Sequence, residues 1–451
     1  MPASEAYRET AEAAWSWVQA QIRDDDGPWL PEAVRDDEPA PSPGEDRDSL
    51  YAGIAGLAPV LAEIGLSRPL SEAERSLADG IAGRLTAQAA GQAEASLYIG
   101  LGGDITALRM LAPGRERVAL QRLAELMRPA GWPSTLEIGP ETGALATDIV
   151  LGTAGTVMAA VWAGGEQASE IAATGGESLL RSAEPAEGGL DWRMVPGYPS
   201  SLPNYSHGTA GIAAALAVAG QALGRADFID AARQGAGHVL AVGSLDGDGF
   251  IAPHTIPSST RDVEPVTYSW CHGPTGTSHL FSALEHAGVP EVGGLGVAEL
   301  RQRCLHSVLT SGVPRRLRPG FWDNDGRCCG TAGVGDVLLD AAQDSASHGS
   351  ADQDRAGELL AAAHVMGGAL LERVIRDGEG ARWRFTEHRI DPPLLPPHST
   401  WMQGAAGIAA FLFRLARVTS DGLHAPVVDR PDQWWAVPEQ LRAVPALLAA
   451  R

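Results

Sequence analysis

The chain repeats one short pattern seven times: two glycines three residues apart, opening an apolar segment of helical length. The copies are YAGIAGLAPVL from Tyr51, YIGLGGDITAL from Tyr98, VLGTAGTVMA from Val150, SHGTAGIAAAL from Ser206, CHGPTGTSHLF from Cys271, CCGTAGVGDVL from Cys328 and MQGAAGIAAFL from Met402. Their first glycines stand 47 to 74 residues apart, room for two helices and a connection. One GxxG says little, but seven in register point to a repeat architecture. A helix rich in Ala and Gly packs closely on its neighbours, and a more amphipathic partner covers it from outside. Seven such pairs form either an open solenoid or a closed ring. Closure removes the need for capping repeats, and neither end of the chain carries an obvious cap. In a ring the seven turns share one end, where glycine permits positive φ and close backbone approach.

Outside the repeats, residues 4–22 read as a helix with Trp15 and Trp17 in it, and 24–47 as a polar, proline-bearing connection. Strand signals are sparse: RWRFTEHRI at 382–390 and FIAPHTI at 250–256. The expected fold class is all-α, with short β-hairpin or loop insertions. Three segments are expected: 1–48 as N-terminal helix and connection, 49–420 as the seven repeats, and 421–451 as a tail packing on them.

Composition excludes several chemistries. All 34 basic residues are arginine, so there is no Schiff-base lysine, no pyridoxal-phosphate anchor and no P-loop lysine. A net charge of -22 argues against nucleic-acid binding, which needs a basic footprint. The four cysteines, at 271, 304, 328 and 329, are too few for a disulfide framework in 451 residues, which suggests a reducing compartment and a cytoplasmic protein. The N-terminus lacks the basic and apolar regions of a signal peptide, and no apolar run is long enough for an integral membrane segment.

The chemistry sits in the residues just before each first glycine. In the first three repeats these are Tyr51-Ala52, Tyr98-Ile99 and Val150-Leu151, which suit packing. In the later four they are Ser206-His207, Cys271-His272, Cys328-Cys329 and Met402-Gln403. Three of the four cysteines thus occupy matched turns. If the turns converge, Cys271, Cys328 and Cys329 form a three-thiolate set with an open fourth position, the donor pattern of a catalytic Zn2+ site. Cys304 has no such partner and reads as core. Gln403 is placed to line the same pocket. Trp270, Trp322 and Trp401 stand near these motifs and read as packing, while His238, His286 and His364 lie in helical stretches and read as surface or core.

The motifs WCHGPTG (270–276), CCGTAG (328–333) and SHGTAGIA (206–213), with the sevenfold GxxG over about 50–415, resemble the LanC-like lanthionine cyclases. The resemblance implies a seven-fold α/α toroid with zinc at the turn end. It also implies Michael-type addition of a peptide cysteine thiol to dehydroalanine or dehydrobutyrine, closing the thioether rings of lanthipeptides. Cys271 and Cys328 match the family's two cysteine ligands. Its usual third ligand, a histidine, is Cys329 here, a three-cysteine variant that resembles the cyclase half of some two-domain synthetases. His207 matches the family's SHG histidine and Asp148 its aspartate before the third GxxG. His272 stands where free-standing cyclases tend to carry tyrosine, and Thr267 where an arginine is often found.

Sulfur addition leaves an enolate that needs a proton at Cα, and an imidazole is the natural donor. His207 is the first candidate and His272 the second. Asp148 orients or charge-stabilises a histidine, takes the thiol proton, or caps the third inner helix. The implied partners are a dehydrated precursor peptide and a separate dehydratase or kinase/lyase enzyme, since 451 residues leave no room for a fused one. Two other readings use the same scaffold: glutathione addition to dehydrated residues in proteins, and a non-catalytic peptide-binding member of a modification complex. A toroidal glycoside hydrolase would need paired carboxylates, and the seven turns present cysteine and histidine instead.

Overall fold

Fourteen α-helices alternate in role along the chain. They are α1 (Ala3–Gln21), α2 (Leu57–Ser67), α3 (Glu72–Gln88), α4 (Leu101–Leu111), α5 (Arg117–Leu126), α6 (Thr153–Ala163) and α7 (Glu166–Ser182). The rest are α8 (Thr209–Leu223), α9 (Ala226–Val242), α10 (Pro274–His286), α11 (Val297–Thr310), α12 (Thr331–Ser347), α13 (Gln353–Arg373) and α14 (Ala405–Asp421). The computed structural model describes residues 3–35, 42–44, 46–136, 143–258, 266–315, 324–348, 353–387 and 391–443, and counts here refer to those residues.

The even-numbered helices start at the glycine turns. The first glycine is the N-cap residue of α4, α6, α8, α10, α12 and α14, and in the first repeat Gly53 precedes a short 3-10 turn that leads into α2. Inner and outer helices differ as their composition requires. In α8 every residue from Thr209 to Gly220 is buried, whereas its partner α9 buries one stripe, Phe228, Ala231, Ala232, Gly235, Ala236, His238 and Val239. Each inner helix packs on the next, and α14 packs on both α12 and α2, which closes a seven-fold α/α toroid. The seventh outer position is filled by α1, which lies along α14.

The turns are stitched together by a ring of seven backbone hydrogen bonds. The N–H of Tyr51 donates to the carbonyl of Tyr98, Tyr98 to Val150, Ile149 to Ser206, Ser206 to Cys271, Cys271 to Cys328, Cys328 to Met402, and Met402 back to Tyr51. Every acceptor lies two residues before a first glycine. The expected positive φ is not what these glycines supply. All seven first glycines are extended, with φ from -103° to -160°. They are needed because a Cβ would strike backbone: at Gly208 it would fall 1.5 Å from the Leu202 carbonyl oxygen, and at the second glycine Gly276 1.8 Å from that of Trp270.

Short hairpins follow four outer helices: β1 (Arg23–Asp24) with β2 (Pro28–Trp29), β3 (Glu184–Ala186) with β4 (Gly189–Asp191), β5 (Ser244–Asp246) with β6 (Gly249–Ile251), and, after α13, Ile375–Asp377 with Gly380–Arg382. The strand expected at 250–256 therefore covers only Gly249–Ile251. That expected at 382–390 breaks into the end of one hairpin and Phe385–Thr386, with 388–390 outside the described residues. Each hairpin leads to a buried aromatic, Trp29, Trp192, Phe250 or Trp383, and the Trp192 and Trp383 indoles donate to Leu179 and Leu370 carbonyls in the outer helix just left.

The C-terminal segment 425–443 enters the bore of the inner ring. Its Asp432 accepts from the Tyr98 hydroxyl at 3.1 Å, its backbone carbonyl there accepts from Tyr205 at 3.4 Å, and Trp435 donates to the His279 carbonyl at 3.3 Å. Asp336 of α12 accepts from Arg327 (2.9 Å), Arg414 (2.8 Å) and Arg430 (2.8 Å), so the segment is tied to the turn that carries Cys328.

Candidate metal centre

The ring brings Cys271, Cys328 and Cys329 together at the turn end. All three are buried, and their sulfurs lie within 4.8 Å of one another, Cys271 to Cys329 at 3.6 Å. Tetrahedral zinc with Zn–S bonds of about 2.3 Å needs sulfurs about 3.8 Å apart, so the spacing fits such an ion. This is the one such cluster of potential ligands among the described residues. Hydrogen bonds from Cys271, Cys329 and Tyr51 hold the Cys328 thiol well below its ordinary range, against burial, while burial pushes Cys271 and Cys329 up. Cys304 is buried in α11, away from the triad, and burial alone raises its thiol pKa.

Beside the triad stands an imidazole–carboxylate pair. His207 Nδ1 lies 2.7 Å from Asp148 Oδ2, with Asp148 fully buried and the His207 side chain 28% exposed. Burial lowers the His207 pKa, but the charge and hydrogen bond of Asp148 outweigh it and the net shift is upward. An Nδ1–H donated to Asp148 leaves Nε2 as the free nitrogen. Asp148 does not cap α6, whose N-cap is Gly152 without a side-chain bond; its other oxygen accepts from the Leu151 N–H at 2.6 Å within the turn.

His272 is buried next to Cys271, its ring 5.7 Å from that of His207 and 4.2 Å, edge-on, from His254. Thr267 donates its hydroxyl to the His272 carbonyl, a bond that braces the turn. Gln403 Nε2 donates to the Tyr51 hydroxyl at 2.9 Å and to Cys329 Sγ at 3.5 Å. Trp270 packs edge-on against Tyr98 and Tyr205, and Trp401 lies under the Arg327 guanidinium; Trp322 lies outside the described residues. His238 bonds the Glu187 carbonyl, His286, at the end of α10, packs on Trp434, and His364 stacks on Tyr7, and none of these contacts involves the triad.

Two neighbours of the triad were not singled out by the sequence. Tyr51, read as packing, reaches the sulfurs; its position two residues before a first glycine, the same as Cys271 and Cys328, was the available signal. Ser269 lies 3.2 Å from Cys271 Sγ, two residues up the same turn. His254, which packs on the His272 ring, lies just after β6, within the segment expected as a strand.

The profile of the family described as "Lanthionine synthetase C-like protein" matches residues 44–420, most of the chain. The chain belongs to the lanthionine synthetase C-like family. Among solved structures, nisin cyclase superposes with a TM-score of 0.53 at 14% identity, over 82% of this chain and 89% of that one. At that identity the likeness shows the shared toroid. An unsaturated glucuronyl hydrolase from Bacillus sp. GL1 superposes with a TM-score of 0.41 at 15% identity, over 92% and 94% of the two chains. No curated protein sequence matches.

Proposed function

We propose that this family member is a zinc-dependent lanthipeptide cyclase, adding peptide cysteine thiols to dehydroalanine or dehydrobutyrine to form (methyl)lanthionine. The observation that carries the reading is one constellation: three buried cysteine sulfurs within 4.8 Å of one another, and a histidine–aspartate pair beside them. Cys271, Cys328 and Cys329 would hold the ion. Zinc bound there supplies a Lewis acid, which makes a thiol nucleophilic at neutral pH. A sulfur–carbon bond then forms at Cβ of the dehydro residue, and its π electrons move to the carbonyl as an enolate. His207 Nε2 delivers a proton to Cα, and Asp148 holds the imidazole in that tautomer and stabilises its charge. The thiol proton released equals the Cα proton gained, so cyclisation leaves the mass unchanged. His272 is the second proton donor. The peptide would come dehydrated from a separate enzyme, in the cytoplasm.

The test separates metal binding from proton transfer. His207→Asn is expected to retain stoichiometric zinc yet to cyclise a dehydrated peptide more slowly by roughly two to four orders of magnitude, the usual share of general acid catalysis. Cys329→Ala is expected to lose zinc and activity together. The readout is free thiol remaining, counted by alkylation and mass. Cyclisation by His207→Asn at the parent rate would move the proton to His272 or water. Zinc kept by the triple cysteine variant would overturn the centre itself.

A further inference from the structure

Two sulfurs of the triad have a neutral hydrogen-bond partner from outside it. Ser269 Oγ lies 3.2 Å from Cys271 Sγ, Gln403 Nε2 donates to Cys329 Sγ at 3.5 Å, and the Tyr51 hydroxyl accepts from the same Gln403 nitrogen at 2.9 Å. These residues come from three different repeats. Ser269 shares the turn of Cys271, whereas Tyr51 and Gln403 belong to the first and seventh repeats and meet the triad only because the ring closes.

Their chemistry answers an excess of negative charge. Three thiolates outweigh a divalent ion by one charge, and an incoming thiolate would make that two. Arg327, the residue before Cys328, is committed to Asp336 and to the face of Trp401, so it does not offset that charge directly at the sulfurs. Neutral donors can do so in part, because an O–H or N–H directed at a thiolate draws density from its lone pairs and weakens its donation to the metal. The ion then draws more on a fourth ligand.

We propose that Ser269 and Gln403, the latter held in place by the Tyr51 hydroxyl, are positioning residues for the metal, which offset the three-thiolate charge so that the centre accepts and releases a fourth thiol. The proposal rests on the zinc reading above.

Cobalt(II) in place of zinc reads the sulfurs directly, because its sulfur-to-metal charge-transfer band moves to longer wavelength when a thiolate loses a hydrogen bond. In the full-length protein, Ser269→Ala, Tyr51→Phe and Gln403→Leu are each expected to shift that band to longer wavelength. Each is also expected to weaken zinc affinity, measured against a chromophoric chelator, by about 10-fold, since a buried thiolate loses stabilisation. Ser269→Thr retains the hydroxyl and is expected to keep the parent band, which separates the hydrogen bond from the packing of the turn. Parent-like bands and affinities in all three variants would overturn the donors' role and leave the zinc reading standing. A parent protein that takes up neither cobalt nor zinc would overturn both.

Discussion

At the second glycine of each repeat, a methyl group decides between packing and collision. A Cβ on Gly211 would lie 2.0 Å from the Tyr205 carbonyl oxygen and 2.5 Å from Ile149, so the turn and its neighbour would both have to move. Gly83, exposed in α3, has nothing within 4 Å of the same position. The one substitution therefore acts in opposite directions. Gly211→Ala is expected to destabilise by about 3 kcal/mol through overpacking. Gly83→Ala is expected to stabilise by roughly 0.5 to 1 kcal/mol, because alanine has less unfolded-chain entropy to lose. Urea midpoints of the two variants check both signs. At this scale the cysteine triad was legible, because Cys271 and Cys328 share one register in the repeat. The register also held Tyr51, but only the position of its hydroxyl, which accepts from Gln403 beside Cys329, distinguishes it from a packed ring.

Among the elements, the C-terminal segment departs most from the repeat logic. The family match ends at residue 420, yet residues 425–443 fill the bore with buried charge. Arg430 bonds Asp336 at 2.8 Å and Asp432 at 3.2 Å, and both carboxylates are buried. Removing one partner of a buried pair strands the other. Arg430→Met is expected to cost about 3 kcal/mol, at the low end for such pairs because Asp336 retains Arg327 and Arg414. Arg233→Met, whose Asp230 partner lies on an open helix face, is expected to change stability by less than about 1 kcal/mol. Thermal unfolding of the two variants gives the comparison. A spectroscopically intact Arg430→Met protein of parent stability would mean that the bore tolerates an unpaired Asp432.

For the molecule as a whole, closure joins the two ends of the chain. α1 covers α14 on one side and reaches α3 on the other. Trp15 donates to Glu74 at 2.8 Å, and Arg68 binds Glu12 (2.7 and 2.9 Å) and Glu74 (2.8 Å, to each oxygen). Glu74 also accepts from the Ser71 N–H at 2.7 Å, completing a capping box on α3. Burial alone would raise its pKa, but Arg68, Ser71 and Trp15 outweigh that and hold it at about 2, against 4.5 for a free carboxylate. A depressed carboxylate stabilises the fold fully above its unfolded pKa, and that stability is lost as pH falls through the folded value. The joint between first and last repeats is therefore expected to weaken between pH 4.5 and about 2. Glu74→Gln is expected to lower the melting temperature at pH 7 and to flatten its fall over that acid range. An acid limb as steep as the parent's would place the acid sensitivity elsewhere.

The sequence by itself determined the sevenfold pairing, the alternation of inner and outer helices and the three matched cysteines. Those properties are local and periodic: a GxxG at each helix start, one mostly apolar helix per repeat, and cysteines at the one or two steps before the first glycine of the turn. That the seven pairs close followed from the family resemblance and not from the pattern of pairs, because closure depends on the summed rotation of all the pairs and on α1 supplying the last outer helix from the other end of the chain. The tertiary structure alone decided that the C-terminal segment plugs the bore and that His207 Nδ1 faces Asp148. It also decided that Tyr51 and Gln403, 352 residues apart, meet at the sulfurs. No periodic pattern encodes such contacts, since each is fixed by where a closed ring places residues distant in the chain.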